Sequence, residues 1–332
     1  MAREWVLTEY SGIDALELRD CDVEEPGPGE VRLNVEAFAL NWGDMDLMQG
    51  RYSFNFSQLP ARIGCEAAGI VDAVGEGVHG IDVGDLYCTL PHFYDMRGMS
   101  AESILIDARY LTKAPEGLSA IESGSIWMQY MTAYFPIVEL ARAAPGVNIL
   151  VTAATSTAGY SALEIGSKLG ANMIGTSRFE YNREYLREGG ASHMHIGDEL
   201  GLADALREFT NGEGVHAVFD SIGAGMIGEY SKSLAKDAQL FTYGTLDEHL
   251  PELPMMALYQ ANATFKPYSL FNYVENSEMK EKGLDYVYKA LQSGDIRPNI
   301  DKVYPMKEYQ DAWRYLLEPR RAHGKVMIAV KN

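Results

Sequence analysis

From Leu150 to Gly170 the chain reads LVTAATSTAGYSALEIGSKLG, an apolar strand-like run, a cluster of small hydroxylated residues and then a helix-like pattern. A turn of this kind can bind a pyrophosphate. The first N–H groups of a helix have no intrahelical acceptor, and the positive end of the helix dipole faces the turn. The G-x-G-x-x-G spacing usual at such turns is degraded here, its three slots holding Ala154, Ser156 and Gly159. Alanine and serine give up part of the room for close backbone approach, while Thr155, Ser156 and Thr157 offer hydroxyls that could bond phosphate oxygens. Ala158, Ala162, Ile165 and Leu169 recur at helical spacing, so a helix is expected from near Thr157 with one apolar face against a sheet. The plain alternative is that Ser156 or Thr157 only caps this helix.

The end of the next strand-like run, MIGTSRFEYNRE, bears on which dinucleotide would fit. A free ribose 2′-hydroxyl calls for a carboxylate at that position, whereas an arginine suits the dianionic 2′-phosphate of NADP. The chain offers Thr176, Ser177 and Arg178 there, with Arg183 a helical turn later. NADPH is therefore the expected cofactor, with Ser156, Thr157, Ala158, Gly159, Ser177, Arg178 and Arg183 as candidate contacts. Glu180 would restore NAD if it, and not Arg178, faced the ribose, and arginines at such a corner are also common as plain surface residues.

These segments must be carried by a larger frame. A chain of 332 residues fits two domains, and 47% hydrophobic with 23% charged residues is an ordinary globular composition. The formal charge of −19 would repel phosphate backbones and anionic membranes, so neither nucleic acid nor membrane is an expected partner. The N-terminal MAREWV is charged where a secretory signal is apolar, and no run is apolar for the roughly 18 residues of a membrane span; a cytoplasmic protein is expected. Cys21, Cys65 and Cys88 are odd in number and lack a C-x-x-C pair, which excludes both a disulfide framework and a four-cysteine zinc clip.

Local patterns change twice along the chain. From Val6 to about Lys113 short strand-like runs are separated by turns, with Val31, Leu33 and Val35 alternating against Arg32, Asn34 and Glu36. From about Gly124 to Ala263 the strands NILVTA, NMIGTS, VHAVFD and AQLFTYG alternate with helices, which predicts a parallel sheet wrapped by helices. The tail from Thr264 returns to mixed elements and ends in a strand, GKVMIAV. The expected domains are residues 1–123 with 264–332, and residues 124–263.

The stretches PGPGEVRLNVEAFALNWGDMDLMQGRY, LPARIGCEAAGIVDAVGEGV, MTAY, NILVTAATSTAGYSALEIGSKLGA and HGKVMIAV run nearly the whole chain. Together they resemble the medium-chain dehydrogenase/reductase superfamily, in its zinc-free quinone oxidoreductase and enoyl reductase branch, several members of which have a serine-rich phosphate turn. The resemblance implies an α/β fold: a GroES-like β-rich catalytic domain plus a Rossmann domain with a doubly wound parallel sheet. It also implies that the slots of two zinc ligands in related alcohol dehydrogenases fall on Asn41 and Cys65. Asparagine is a poor ligand and one cysteine cannot assemble a site, so no metal is expected. An improvised set of Cys65, Glu66 and His92 is the alternative.

By the same resemblance Tyr52 matches an active-site tyrosine, Asn41 could donate a second hydrogen bond, and Asp44 would orient its loop. Thr132 resembles a cofactor-contacting threonine, with Met131 and Tyr134 equally suited to the core. Gly244 and Thr245 fall where similar proteins meet the nicotinamide, Lys325 matches a basic residue that reaches a cofactor phosphate, and Asp220 to Gly225 would pass beneath the cofactor. His92 and Tyr94 fall near a substrate entrance, and Phe271 and Asn272 match more weakly. The expected activity is NADPH-dependent hydride transfer to an α,β-unsaturated carbonyl or quinone without zinc. A zinc-type alcohol dehydrogenase or aldehyde reductase, and a non-catalytic NADPH-binding protein, are the alternatives. A small carbonyl, enone or quinone is the expected partner, and similar proteins commonly form homodimers.

Overall fold

A computed structural model describes every residue except 248, 250, 320–322 and 332. The chain divides into two compact units, residues 1–128 with 298–332, and residues 129–297. In the first, β1 (Ala2–Leu7) and β2 (Leu16–Cys21) form an antiparallel pair. A larger sheet contains β3 (Glu30–Ala39), β4 (Ala67–Val74), β5 (Leu86–Thr89), β6 (Ser103–Asp107) and β7 (Leu111–Lys113). The period-two pattern of β3 is realised: Val31, Leu33 and Val35 are fully buried, while Arg32, Asn34 and Glu36 between them are half-exposed. β4 runs along one edge of β3 and β6 along the first half of the other. Gly69 of β4 faces a bulge in β3, where an added Cβ would lie 2.6 Å from the carbonyl oxygen of Asn34. Only glycine fits that approach. Three helices follow the same half of the chain: α1 (Trp42–Met48), α2 (Ala120–Ser123) and α3 (Trp127–Tyr134), which crosses into the second unit.

The second unit holds six parallel strands: β8 (Asn148–Val151), β9 (Asn172–Ser177), β10 (His193–Ile196), β11 (Val215–Asp220), β12 (Leu234–Thr242) and β13 (Thr264–Pro267). Their spatial order is β10-β9-β8-β11-β12-β13, so the chain starts mid-sheet, winds outward one way and returns to wind the other. This is the doubly wound Rossmann order. Between the strands lie α4 (Thr157–Lys168), α5 (Arg183–Glu188), α6 (Leu202–Phe209), α7 (Ala224–Tyr230) and α8 (Met255–Ala261). Leu150, Ile174, Val218 and Leu240 of the sheet pack with Leu206 of α6, Ile227 and Tyr230 of α7, and Leu258 of α8. After β13 come α9 (Phe271–Val274) and α10 (Ser277–Ser293). The chain then re-enters the first unit through β14 (Ile300–Pro305), α11 (Tyr309–Leu316) and β15 (Lys325–Ala329), with β15 antiparallel to the end of β3.

Two features depart from the sequence expectation. The crossings between units fall at 128/129 and 297/298 and not at 123/124 and 263/264; at the second, β13 pairs in parallel with β12 and extends the Rossmann sheet. β10 lies outside the expected strands; its four residues are all half-buried, and a short edge strand with two histidines carries little apolar signal. No helix among the described residues is long and apolar enough to cross a membrane.

Candidate functional site

In the second unit β8 and β11 are neighbours although other elements separate them in sequence, and a doubly wound sheet takes ligands at that reversal of direction. The strand ends are tied together there. Thr152 Oγ1 donates to Asp220 Oδ1 at 2.6 Å and accepts the N–H of Ser221 at 3.0 Å. Fully buried Asp220 also accepts the N–H groups of Ile222 and Gly223 and the hydroxyl of Tyr230, at 2.9, 3.2 and 3.0 Å. Its carboxylate is consumed in shaping the turn after β11.

The turn after β8 leads into α4, whose first residue is Thr157 as its spacing predicts. Ser156 is the N-cap, its Oγ accepting the N–H of Gly159 at 3.1 Å. Thr157 and Ala158 are half-exposed, and their N–H groups have no acceptor among the described residues. A cap and an anion site are thus compatible here. Ala153 takes a left-handed φ of 41°, a conformation glycine adopts more readily. Gly159 serves packing: an added Cβ would lie 2.8 Å from Ala153 O and 2.9 Å from Ala154 Cα.

Gly244, just beyond β12, is likewise pressed against its neighbour, since a Cβ there would lie 3.0 Å from Ser221 O. Thr245 is exposed. The buried hydroxyls of Ser221 and Tyr243 have no hydrogen-bond partner among the described residues, and the Tyr243 ring stacks on Phe219 at 4.0 Å. Burial pushes the Tyr243 phenol up to about 12, moderated by the nearby hydroxyls of Ser221 and Ser156, which lie outside hydrogen-bond geometry. Orphaned buried hydroxyls beside free helix N–H groups fit a polar, anionic guest such as a dinucleotide. Thr132 is buried on α3, as are Met131 and Tyr134. Phe271 is buried and Asn272 exposed.

At the end of β9 the candidates separate. The Ser177 hydroxyl accepts the buried Asn182 amide at 2.8 Å and braces the loop, which leaves its own O–H as a donor. Arg183 is committed: its guanidinium grips Glu180 at 2.5 and 2.9 Å, which holds the Glu180 carboxyl below its usual range. Exposed Arg178 has no acidic partner among the described residues and lies over the Phe179 ring at 5.4 Å.

In the first unit a buried polar cluster gathers at the start of α1. Asp44 Oδ2 accepts the N–H of Asn41 at 3.2 Å, and the Cys65 thiol donates to Asp44 Oδ1 at 3.2 Å. Burial raises Asp44 to about 6 against the opposing Cys65 bond, and burial followed by the Asp44 charge pushes the Cys65 thiol well up. Cys65 therefore stays protonated. Fully buried Glu66 pairs through Oε2 with Lys325 Nζ at 3.0 Å and accepts the N–H of Met128 at Oε1, 2.9 Å. Lys325 also donates to Asn41 Oδ1 at 2.6 Å, and Asn41 Nδ2 donates to Glu66 Oε2 at 3.4 Å.

One expectation changes accordingly. Lys325 is 2% exposed and its ammonium is spent inside the first unit, not held out to a phosphate. The Asn41 amide is engaged on both atoms, although its nitrogen only weakly. Tyr52 is half-buried, its ring close over Gly43 and edge-on to Phe54 at 5.3 Å. Its hydroxyl makes no hydrogen bond among the described residues, and burial, then Cys65 and the Asp44 and Asp46 charges, push its phenol upward, keeping it a donor. Buried Tyr94 packs edge-on against Phe54 at 6.1 Å. His92 stacks on Tyr110 at 4.1 Å with Nδ1 on Leu90 O at 2.8 Å, as a core histidine does. Among the described residues no three His, Cys, Asp or Glu side chains are grouped to hold a metal.

Sequence reasoning missed the Glu66–Lys325 pair as a unit and the orphaned hydroxyls of Ser221 and Tyr243. Residues joined across 259 positions, or by the absence of a partner, leave no local pattern.

Residues 27–116 match the alcohol dehydrogenase GroES-like domain, and residues 190–328 the zinc-binding dehydrogenase family. The chain is 28% identical over 306 residues to quinone oxidoreductase-like protein 2 of Bos taurus, covering 92% of this chain and 86% of that protein. It is 27% identical over 330 residues to 2-haloacrylate reductase of a Burkholderia species, covering 97% of each. A mycobacterial protein whose structure was solved with NADPH superposes with a TM-score of 0.89 at 26% identity, over 99% of this chain and all of that one. With a GroES-like unit, a Rossmann unit and relatives of this kind, the chain is a nicotinamide-dependent oxidoreductase and belongs to the medium-chain dehydrogenase/reductase superfamily, in its quinone oxidoreductase-like branch.

Proposed function

We propose that this protein transfers hydride from NADPH to an α,β-unsaturated carbonyl or a quinone without a metal. The observation that carries the reading is the chemistry of the cluster at α1. Where a Lewis acid would need open electron pairs, Cys65 is a thiol bound to Asp44, while Asn41 and Glu66 already bind the ammonium of Lys325. A carbonyl or quinone oxygen must then be polarised by hydrogen-bond donors. Tyr52 is the principal donor in this reading: a protonated phenol with no competing acceptor among the described residues. Asn41 Nδ2 is the second.

NADPH, when bound, supplies the hydride. Its diphosphate would take the N–H groups of Thr157 and Ala158 and the hydroxyls of the Ser156 turn, and its 2′-phosphate would take Arg178, which no acid among the described residues neutralises. Thr132, Gly244 and Thr245 complete the proposed cofactor contacts. The NADPH bound in the mycobacterial neighbour's structure and the names of the two relatives support the same reading. Three free cysteines support a reducing compartment such as the cytoplasm. A homodimer is also proposed, β13 being an open edge of its sheet. NADPH oxidation measured against panels of enones, quinones and aldehydes tests the reading: turnover of an enone or quinone is expected, and turnover of aldehydes alone would overturn it.

A further inference from the structure

Lys325 and Glu66 are 2% and 0% exposed, and lysine is rarely withdrawn so completely from water. The 2.6 Å contact from Nζ to the side chain of Asn41 has a chemical consequence. An ammonium group only donates, so the amide atom facing it must be oxygen, and the amide nitrogen is left facing the same Glu66 oxygen that takes Nζ. There Nδ2 meets Glu66 Oε2 at 3.4 Å, a long contact to a carboxylate already satisfied by Lys325 and by the N–H of Met128. The Asn41 backbone is pinned as well, its N–H on Asp44 and its carbonyl on the N–H of Asp44. The amide is thus oriented firmly while its donor is only weakly consumed.

We propose that Lys325 is a positioning residue for the reaction: its buried ammonium locks the Asn41 amide with Nδ2 presented as a donor to the substrate oxygen. The inference rests on the proposed reading that this oxygen gains negative charge during hydride transfer. It gives the C-terminal strand β15 a role in catalysis without touching substrate or cofactor. A phosphate contact by Lys325 would instead make cofactor affinity depend on it, and a purely structural lysine would make only stability depend on it.

Lys325→Met alone would leave Glu66 buried without its counter-charge and endanger folding, so the charge-free pair Glu66→Gln with Lys325→Met is the working variant. It is compared with the parent, with Asn41→Ala and with the combination of all three substitutions, each checked for folding by circular dichroism. Heteronuclear NMR of the parent and Asn41→Ala identifies the Asn41 side-chain amide signals, which are expected to move in the charge-free variant. In kinetics with NADPH and an enone, Asn41→Ala is expected to lose roughly 10² in kcat, as when one oxyanion donor is removed. The charge-free variant should lose a comparable factor, and the combination should fall no lower than Asn41→Ala alone, because residues acting through one group do not add. NADPH affinity should stay within about threefold of the parent.

Asn41 amide signals unmoved by loss of Lys325 would overturn the proposal whatever the activity. So would losses that multiply in the combination, or weakened NADPH binding with kcat intact. Moved amide signals in a parent that reduces no enone, quinone or aldehyde would support the orientation by Lys325 and refute the functional reading instead.

Discussion

Glu164 offers a stability test that is independent of substrate. It lies on α4, the helix whose N-terminus meets the phosphate turn, and Tyr130 Oη sits 2.9 Å from both Glu164 Oε2 and the carbonyl oxygen of Arg297. One phenolic proton cannot serve two acceptors. If Glu164 is ionised, one of them goes without; if Glu164 is protonated, its carboxyl donates to Tyr130 and Tyr130 donates to the carbonyl, and the chain is complete. Burial raises Glu164 from 4.5 to about 7, opposed by the Tyr130 bond and by Lys168, which is itself paired with Asp295 at 3.1 Å. Because the folded value lies above the unfolded one, this stabilisation is full below about pH 4.5 and is lost as pH rises through about 7. The rise is worth roughly 3 kcal/mol by about pH 8. Glu164→Gln keeps a donor toward Tyr130 and removes the charge. Urea unfolding of the parent and the variant, at about pH 5 and about pH 8, should show the variant gaining roughly 2–3 kcal/mol on the parent across that interval. Two stabilities that change in parallel between those pH values would refute the reasoning.

Tyr52→Phe should keep NADPH affinity and lower turnover about 10²–10³-fold; turnover within about threefold of the parent would reject Tyr52 as the principal donor. NADPH should bind at least about tenfold more tightly than NADH, a difference of about 1.4 kcal/mol that Arg178→Ala abolishes and Arg183→Ala spares. Fluorescence titrations giving equal affinities in the parent would shift the ribose contact to Glu180 and NAD. Purified protein should contain no stoichiometric zinc and should keep its activity in chelator. Zinc on elemental analysis, with activity lost on chelation, would bring Cys65, Glu66 and His92 forward as ligands.

The architecture was legible because its signals are local and repeated. Alternating Val31, Leu33 and Val35 mark a half-buried strand, and the apolar spacing from Ala158 to Leu169 fixes where α4 begins. The unit boundary at 297/298 was not, because β13 is four residues long and its membership is decided by pairing with β12, not by its own composition. In the candidate site, residue type indicated which groups could act but not which were already occupied. Arg178 and Arg183 look alike in sequence until Glu180 is seen to hold only the second. Lys325 reads as a surface base near the C-terminus until its pairing with Glu66 places it in the core. Such engagement is a matter of side-chain geometry between distant segments, and no spacing rule reports it.

Hydride transfer from NADPH to the conjugated system of an enone or quinone leaves its mark in the position of an isotopic label. The protein is incubated with an α,β-unsaturated ketone and NADPH carrying deuterium at the nicotinamide C4, and the product is read by NMR and mass spectrometry. A saturated ketone with deuterium on the β-carbon is expected, formed equally in the presence of a chelator. An allylic alcohol with deuterium on the carbinol carbon, formed only when zinc is supplied, would contradict it.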